Sequence, residues 1–177
     1  DAICKISSPG GGDFPREGSG TLVEWAGFVG LLTTHVLIPN LAAALESTVV
    51  FNVTGIGEVS VRVPQDAMLI SSPALNYTLA MLDSCPPGLM PVPLRRGENC
   101  GVQPGDSVQL MQRRGGDRDV CVGKVVSVQS PVVHYSATAN GVAEGGAVFM
   151  GFDAVALHGG ANFGSKIPAT TSTRLME

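Results

Sequence analysis

Charge is scarce in this chain. Asp, Glu, Lys and Arg together make up 15% of its 177 residues, and the formal net charge is −4. With so few cations and no basic stripe, nucleic acid is not expected as a partner. Long apolar runs are missing too. The longest, Phe28 to Pro39, is interrupted by Thr33, Thr34 and His35, and is too short and too polar to span a bilayer, so no membrane partner is expected either. The four cysteines, Cys4, Cys85, Cys100 and Cys121, lack the Cys-x-x-Cys spacing of a zinc site. Four thiols in a chain of this length are too few for a disulfide scaffold. Cys85 and Cys100 pair if the protein is secreted, whereas all four stay reduced if it is intracellular, the reading preferred here. The runs Gly10-Gly11-Gly12 and Gly55-Ile56-Gly57 lack a dinucleotide or phosphate-loop pattern and read as turns, so no cofactor is expected. There is no internal repeat and no heptad. No signal-like segment precedes Asp1, which suggests a domain of a longer protein.

What is present is a globular composition. Hydrophobic residues reach 44%, and 23 glycines with 12 prolines favour many turns and short strands over long helices. Strands are expected over 2–6, 18–25, 28–33, 47–53, 58–63 and 76–82, with a loop over 7–20 and one or two helical turns at 41–46. Leu22 and Glu24 should face away from Val23. Four prolines and no periodicity mark 84–101 as a surface connector. Further strands are expected over 107–112, 120–129, 132–135, 147–150 and 154–158, with a polar hairpin tip at 113–118. Many short strands at this spacing argue an all-β barrel or sandwich. The tripeptides starting at Asn52 and Asn76 match a glycosylation pattern but fall within expected strands.

Four segments, in order, carry a family resemblance: Gly18-Ser19-Gly20-Thr21-Leu22-Val23, Leu31-Leu32-Thr33-Thr34-His35-Val36-Leu37-Ile38-Pro39, Asn76-Tyr77-Thr78-Leu79-Ala80-Met81-Leu82-Asp83 and Gly105-Asp106-Ser107-Val108. They are followed by Ala143-Glu144-Gly145-Gly146-Ala147-Val148-Phe149 and a hairpin ending His158-Gly159-Gly160. This order resembles trypsin-like serine peptidases, of the compact intracellular type related to Deg and Htr proteases. The resemblance implies an all-β fold of two six-stranded antiparallel β-barrels. It divides the chain into an N-terminal barrel over 1–83, a connector over 84–101, a C-terminal barrel over 102–168 and a fraying tail over 169–177.

The resemblance also implies where a catalytic apparatus would stand. The nucleophile position holds Glu144. The base position falls on Val36 by direct alignment, or on His35 if one residue is deleted, and the orienting carboxylate falls on Thr78. Asn76 and Asp83 are displaced from that position by two and five residues along the strand. A serine peptidase needs a hydroxyl nucleophile, an imidazole base and a carboxylate that fixes the imidazole tautomer. The oxyanion-hole position is Val142 rather than glycine. A carboxylate at 144 would also oppose a developing oxyanion: like charges about 4 Å apart cost on the order of 4 kcal/mol at an effective dielectric of 20. The expectation is a catalytically degenerate member, with no catalytic residue, that binds a protein or peptide in the inter-barrel cleft or on an edge strand.

In that setting His158, Gly159, Gly160 and Phe163 would line the binding pocket. Glu144 would accept hydrogen bonds from the Gly145 and Gly146 amides or form a salt bridge to a partner. The competing reading is a rewired hydrolase in which His35 works with Glu144 or a nearby serine such as Ser136. His134 and His158 flank the Glu144 loop, but no third ligand spacing accompanies them and no metal is expected.

Overall fold

The computed structural model describes residues 2–10, 15–94, 101–114, 117–129, 132–137, 144–159 and 167–171. The expected all-β double-barrel architecture is observed. In the first half, β1 (Ile3–Ser8), β2 (Arg16–Trp25), β3 (Phe28–Thr33), β4 (Thr48–Val53), β5 (Gly57–Val61), β6 (Leu69–Ser72) and β7 (Tyr77–Leu82) form one antiparallel path in the order β5-β4-β1-β2-β3-β7-β6. A two-residue strand, β8 (Val92–Pro93), adds to β2 in parallel. This half is a half-barrel, and β5 and β6 end it without pairing to each other. In the second half, β9 (Ser107–Arg114), β10 (Asp117–Gln129), β11 (Val132–Tyr135), β12 (Ala147–Met150), β13 (Asp153–His158) and β14 (Ile167–Thr171) close a six-stranded barrel in the order β10-β11-β14-β13-β12-β9.

The one helix among the described residues, α1 (Leu41–Glu46), starts at Asn40, whose side-chain oxygen accepts from the Ala43 amide at 2.9 Å. That contact satisfies one of the amides a helix start leaves unpaired. Among the described residues, no helix is long and apolar enough to cross a membrane.

Strand alternation sorts the apolar residues into three cores. Leu22, Leu31, Phe51 and Ala80 fill the first half, and Val108, Leu110, Val133, Tyr135 and Val155 fill the second. The third core lies on the opposite faces of the same strands and joins the halves: Val23, Leu32, Leu79 and Met81 meet Ala147, Phe149, Ala154 and Leu157. Thus Leu22 and Val23 both reach zero exposure, on opposite sides of β2, while Glu24 is exposed. β7 is buried along its whole length, because one face serves the first core and the other the seam.

Several boundaries move from those expected. The loop set at 7–20 is shorter, because β1 runs to Ser8 and pairs with β2 from Arg16. β6 is added: its partly buried sequence Leu69-Ile70-Ser71-Ser72 shows no alternation but pairs along β7. The tail expected to fray from 169 is in strand to Thr171, since β14 is hydrogen-bonded to both β11 and β13 and completes the barrel. Cys4 and Cys121 are buried and Cys85 is half-buried, none of the three in a disulfide, and the Cys85 Sγ lies 3.2 Å from the Leu89 carbonyl. Burial pushes the Cys4 thiol pKa far above its usual range. Cys100 lies outside the described residues.

Candidate functional site

The Glu144 loop is held against the first half by small residues. The Ser19 amide on β2 donates to the Glu144 carbonyl at 2.7 Å, the Gly145 amide donates to the His158 carbonyl at 3.0 Å, and the His158 amide donates to the Gly146 carbonyl at 2.8 Å. Gly145 has a φ of +80°, and a Cβ there would fall 1.9 Å from the Ser19 carbonyl oxygen. A Cβ at Gly18 would fall 2.8 Å from the Glu144 carbonyl oxygen. Glycine is therefore required at Gly145 by both conformation and space, and at Gly18 by space. The expectation that the Glu144 carboxylate takes the following glycine amides is corrected at Gly145, whose amide is used by β13.

Ser19 itself is a junction. Its hydroxyl accepts from the Arg113 amide at 2.8 Å and lies 3.4 Å from the Arg113 carbonyl, while its own carbonyl accepts from the Thr33 hydroxyl at 2.8 Å. Four segments meet at one fully buried serine. The Gly18-Ser19-Gly20 spacing, two glycines flanking a small polar residue, was the available signal for this close approach.

The Glu144 carboxyl is half-buried, and among the described residues it makes no hydrogen bond or ion pair. Burial raises its pKa from the usual value, opposed by the positive charge of Arg16. Arg16 Nη1 donates to the Val36 carbonyl at 2.8 Å. A carboxylate in this place offers acceptor oxygens and no hydroxyl proton.

His35 and Val36 part company in space. Val36 is 38% exposed and meets its neighbours through its backbone, its amide donating to Asn76 Oδ1 at 3.2 Å. The His35 ring turns to β6, the neighbour of the strand carrying Thr78: Nδ1 lies 2.8 Å from Ser71 Oγ, and Ser71 Oγ lies 2.6 Å from Thr78 Oγ1. Thr78 is fully buried and donates to the Ile38 carbonyl at 2.6 Å. His35 and Thr78 are thus brought together through Ser71, on a strand absent from the sequence reading. Asp83 is exposed at the end of β7. Asn76 spans the halves, because its Nδ2 donates to the Gly159 carbonyl at 3.1 Å.

His158 is corrected as a pocket-lining side chain. It has zero exposure, and its Nδ1 lies 2.7 Å from the Tyr135 hydroxyl. Its inward position follows from β13 alternation against the closed second barrel. Burial pushes its pKa down to about 4. Gly159 contributes its carbonyl; Gly160, Phe163 and Val142 lie outside the described residues. The Ser136 hydroxyl is engaged with the Lys124 backbone, 3.4 Å from both its amide and its carbonyl. Among the described residues, no group of three or more His, Cys, Asp and Glu side chains is placed to hold a metal.

No protein-family model and no curated protein matches the chain. Solved structures do. The crystal structure of Deg5 is similar over 94% of this chain and 82% of its own, with a TM-score of 0.67 and 16% identity. The inactive form of the Rv3671c protease gives 97%, 83%, 0.64 and 16% by the same measures. Human heparin binding protein gives 96%, 85%, 0.69 and 14%. These neighbours have trypsin-like serine protease folds, so the chain shares that fold.

Proposed function

We propose that this chain is a catalytically inactive trypsin-like domain that binds a protein or an extended peptide as a module of a larger protein. The observation that carries the reading is the pair of residue types at the centre of the site. Glu144, without a hydroxyl, occupies the loop docked on Ser19, and the His35 ring meets the Ser71 hydroxyl rather than a carboxylate. Loss of triad members typically costs several orders of magnitude in rate. The outer edges of β5 and β6 lack a ladder partner among the described residues, which supports strand addition by an extended peptide. Asn76 bridges the two halves, its side chain bonded to the Val36 amide and the Gly159 carbonyl.

The test incubates the purified domain with a mixture of unfolded proteins and counts new termini by mass spectrometry, alongside Glu144→Ala and His35→Ala. The expected result is no cleavage above a buffer control. New termini that vanish in either variant would instead establish a rewired hydrolase. A peptide library incubated with the same protein should yield retained sequences, and retention lost on Asn76→Ala would place them in the cleft. An empty library on both counts would leave only a structural domain.

A further inference from the structure

The hydroxyl relay behind His35 fixes where every proton lies. Thr78 has one hydroxyl proton, and its 2.6 Å contact with the Ile38 carbonyl requires it, because a carbonyl only accepts. The 2.6 Å contact between Ser71 and Thr78 therefore uses the Ser71 proton. The Tyr77 carbonyl, 3.3 Å from Ser71 Oγ, is also an acceptor and draws on that same proton. With its proton committed on either side, Ser71 has only a lone pair left for the imidazole. The 2.8 Å contact to His35 must be an Nδ1–H donating to Ser71.

We infer that Ser71 and Thr78 act together as positioning residues that hold neutral His35 as its Nδ1–H tautomer, leaving Nε2 a lone-pair acceptor. Two hydroxyls thus do what a carboxylate would do for tautomer choice, without adding negative charge. Thr78 matters although it does not touch the ring, since its carbonyl bond forces the direction of the Ser71 proton. The same accounting removes Ser71 as a nucleophile, because its proton points away from the adjacent His35 ring. The His35 ring is half-buried, and Nε2 has no partner among the described residues. Resting on the binding function proposed above, the chemistry selects a bound segment that presents a donor there, a backbone N–H or a hydroxyl, over one presenting a carbonyl or carboxylate.

The test is long-range proton–nitrogen correlation NMR of the histidine rings in the free protein, at a pH where the rings are neutral. The chain has three histidines, and His35→Gln assigns the signals. His35 should show a pyrrole-type Nδ1 and a pyridine-type Nε2. Thr78→Val leaves only the longer Tyr77 carbonyl contact, at 3.3 Å, to hold the Ser71 proton, and the population should shift toward the Nε2–H form. Thr78→Ser, which keeps the hydroxyl, should retain the wild-type pattern, and Ser71→Ala should lose it. A pyridine-type Nδ1 in the wild type overturns the inference, as does a pattern indifferent to both Ser71→Ala and Thr78→Val. Should Thr78→Val fail to fold, the wild-type and Ser71→Ala spectra decide by themselves. The experiment needs no partner, so proteolysis detected in the cleavage assay would end the binding function without touching the tautomer.

Discussion

The Ser19 amide and the Glu144 carbonyl are joined at 2.7 Å across the seam between the two halves. This bond places the glutamate loop directly on β2, with Gly145 passing so close to Ser19 that no side chain fits between them. The loop is therefore part of the structural joint as well as the centre of the candidate site.

Gly145→Ala should be among the most damaging single substitutions. It forces a side chain into a positive-φ conformation and against a backbone oxygen at once. Left-handed strain and overpacking together predict a loss of about 3 kcal/mol, read as a lower urea midpoint with an unchanged slope. A midpoint equal to wild type would mean the loop does not dock as described.

Ser19→Ala tests the joint from the other side. It leaves the buried Arg113 amide without the acceptor it uses at 2.8 Å. The expected cost is about 1–3 kcal/mol, the range for stranding a buried donor. Ser19→Thr keeps the hydroxyl but adds a methyl to a fully buried site, so it should also destabilise, and comparison of the two separates bonding from space.

Asn76 combines a φ of +50° with two side-chain bonds, to the Val36 amide and the Gly159 carbonyl. Asn76→Gly removes the bonds and keeps the backbone relaxed; Asn76→Ala removes the bonds and adds strain. The alanine variant should be less stable than the glycine variant by about 1 kcal/mol. Chemical denaturation of both distinguishes them, and equal midpoints would argue that the turn relaxes freely.

Acid should weaken the fold through His158. Its folded pKa is pushed down to about 4 by burial, against an unperturbed value of about 6.5. Between those values the unfolded chain binds the proton and the folded chain does not, so stability rises with pH. Going down, stability is lost from about pH 6.5 toward pH 4, by about 3 kcal/mol in all. Urea midpoints across that range should fall for the wild type and flatten for His158→Leu. A His158→Leu profile parallel to the wild type would assign the acid sensitivity elsewhere.

A serine at position 144 should not by itself give an efficient enzyme. Glu144→Ser supplies the nucleophile and His35 an imidazole, but the ring still lacks a carboxylate to stabilise its charged form. Turnover of an activated ester should stay about four orders of magnitude below a complete triad. A burst and turnover near that of an intact protease would show that the hydroxyl relay suffices.

Much of this architecture was legible along the chain. The β3 and α1 boundaries, and the cores of most other strands, follow from local alternation, capping and turn residues, and the four ordered segments carried the fold. Whether His35 or Val36 turns toward Thr78 was not legible, because the two are adjacent in the chain and only the turn at 34–37 directs the His35 ring toward β6. Ser71 could not be found, since an isolated serine in an unpatterned run carries no signal until β6 pairs with β7. The family resemblance placed His158 in the pocket wall. Its burial depends on which face of β13 meets the closed second barrel.

What the sequence by itself determined is most of the strands, the α1 helix and the residue types available to the candidate site: no hydroxyl at 144 and no carboxylate at 78. Those are properties of residue type, and no folding changes them. The tertiary structure alone decided the partnerships: Ser19 with Glu144, His35 with Ser71, Asn76 with Gly159 and Tyr135 with His158. The reason is physical. Strand periodicity is a local property, whereas a hydrogen bond between residues far apart in the chain exists only when two sheets have packed and their register is set.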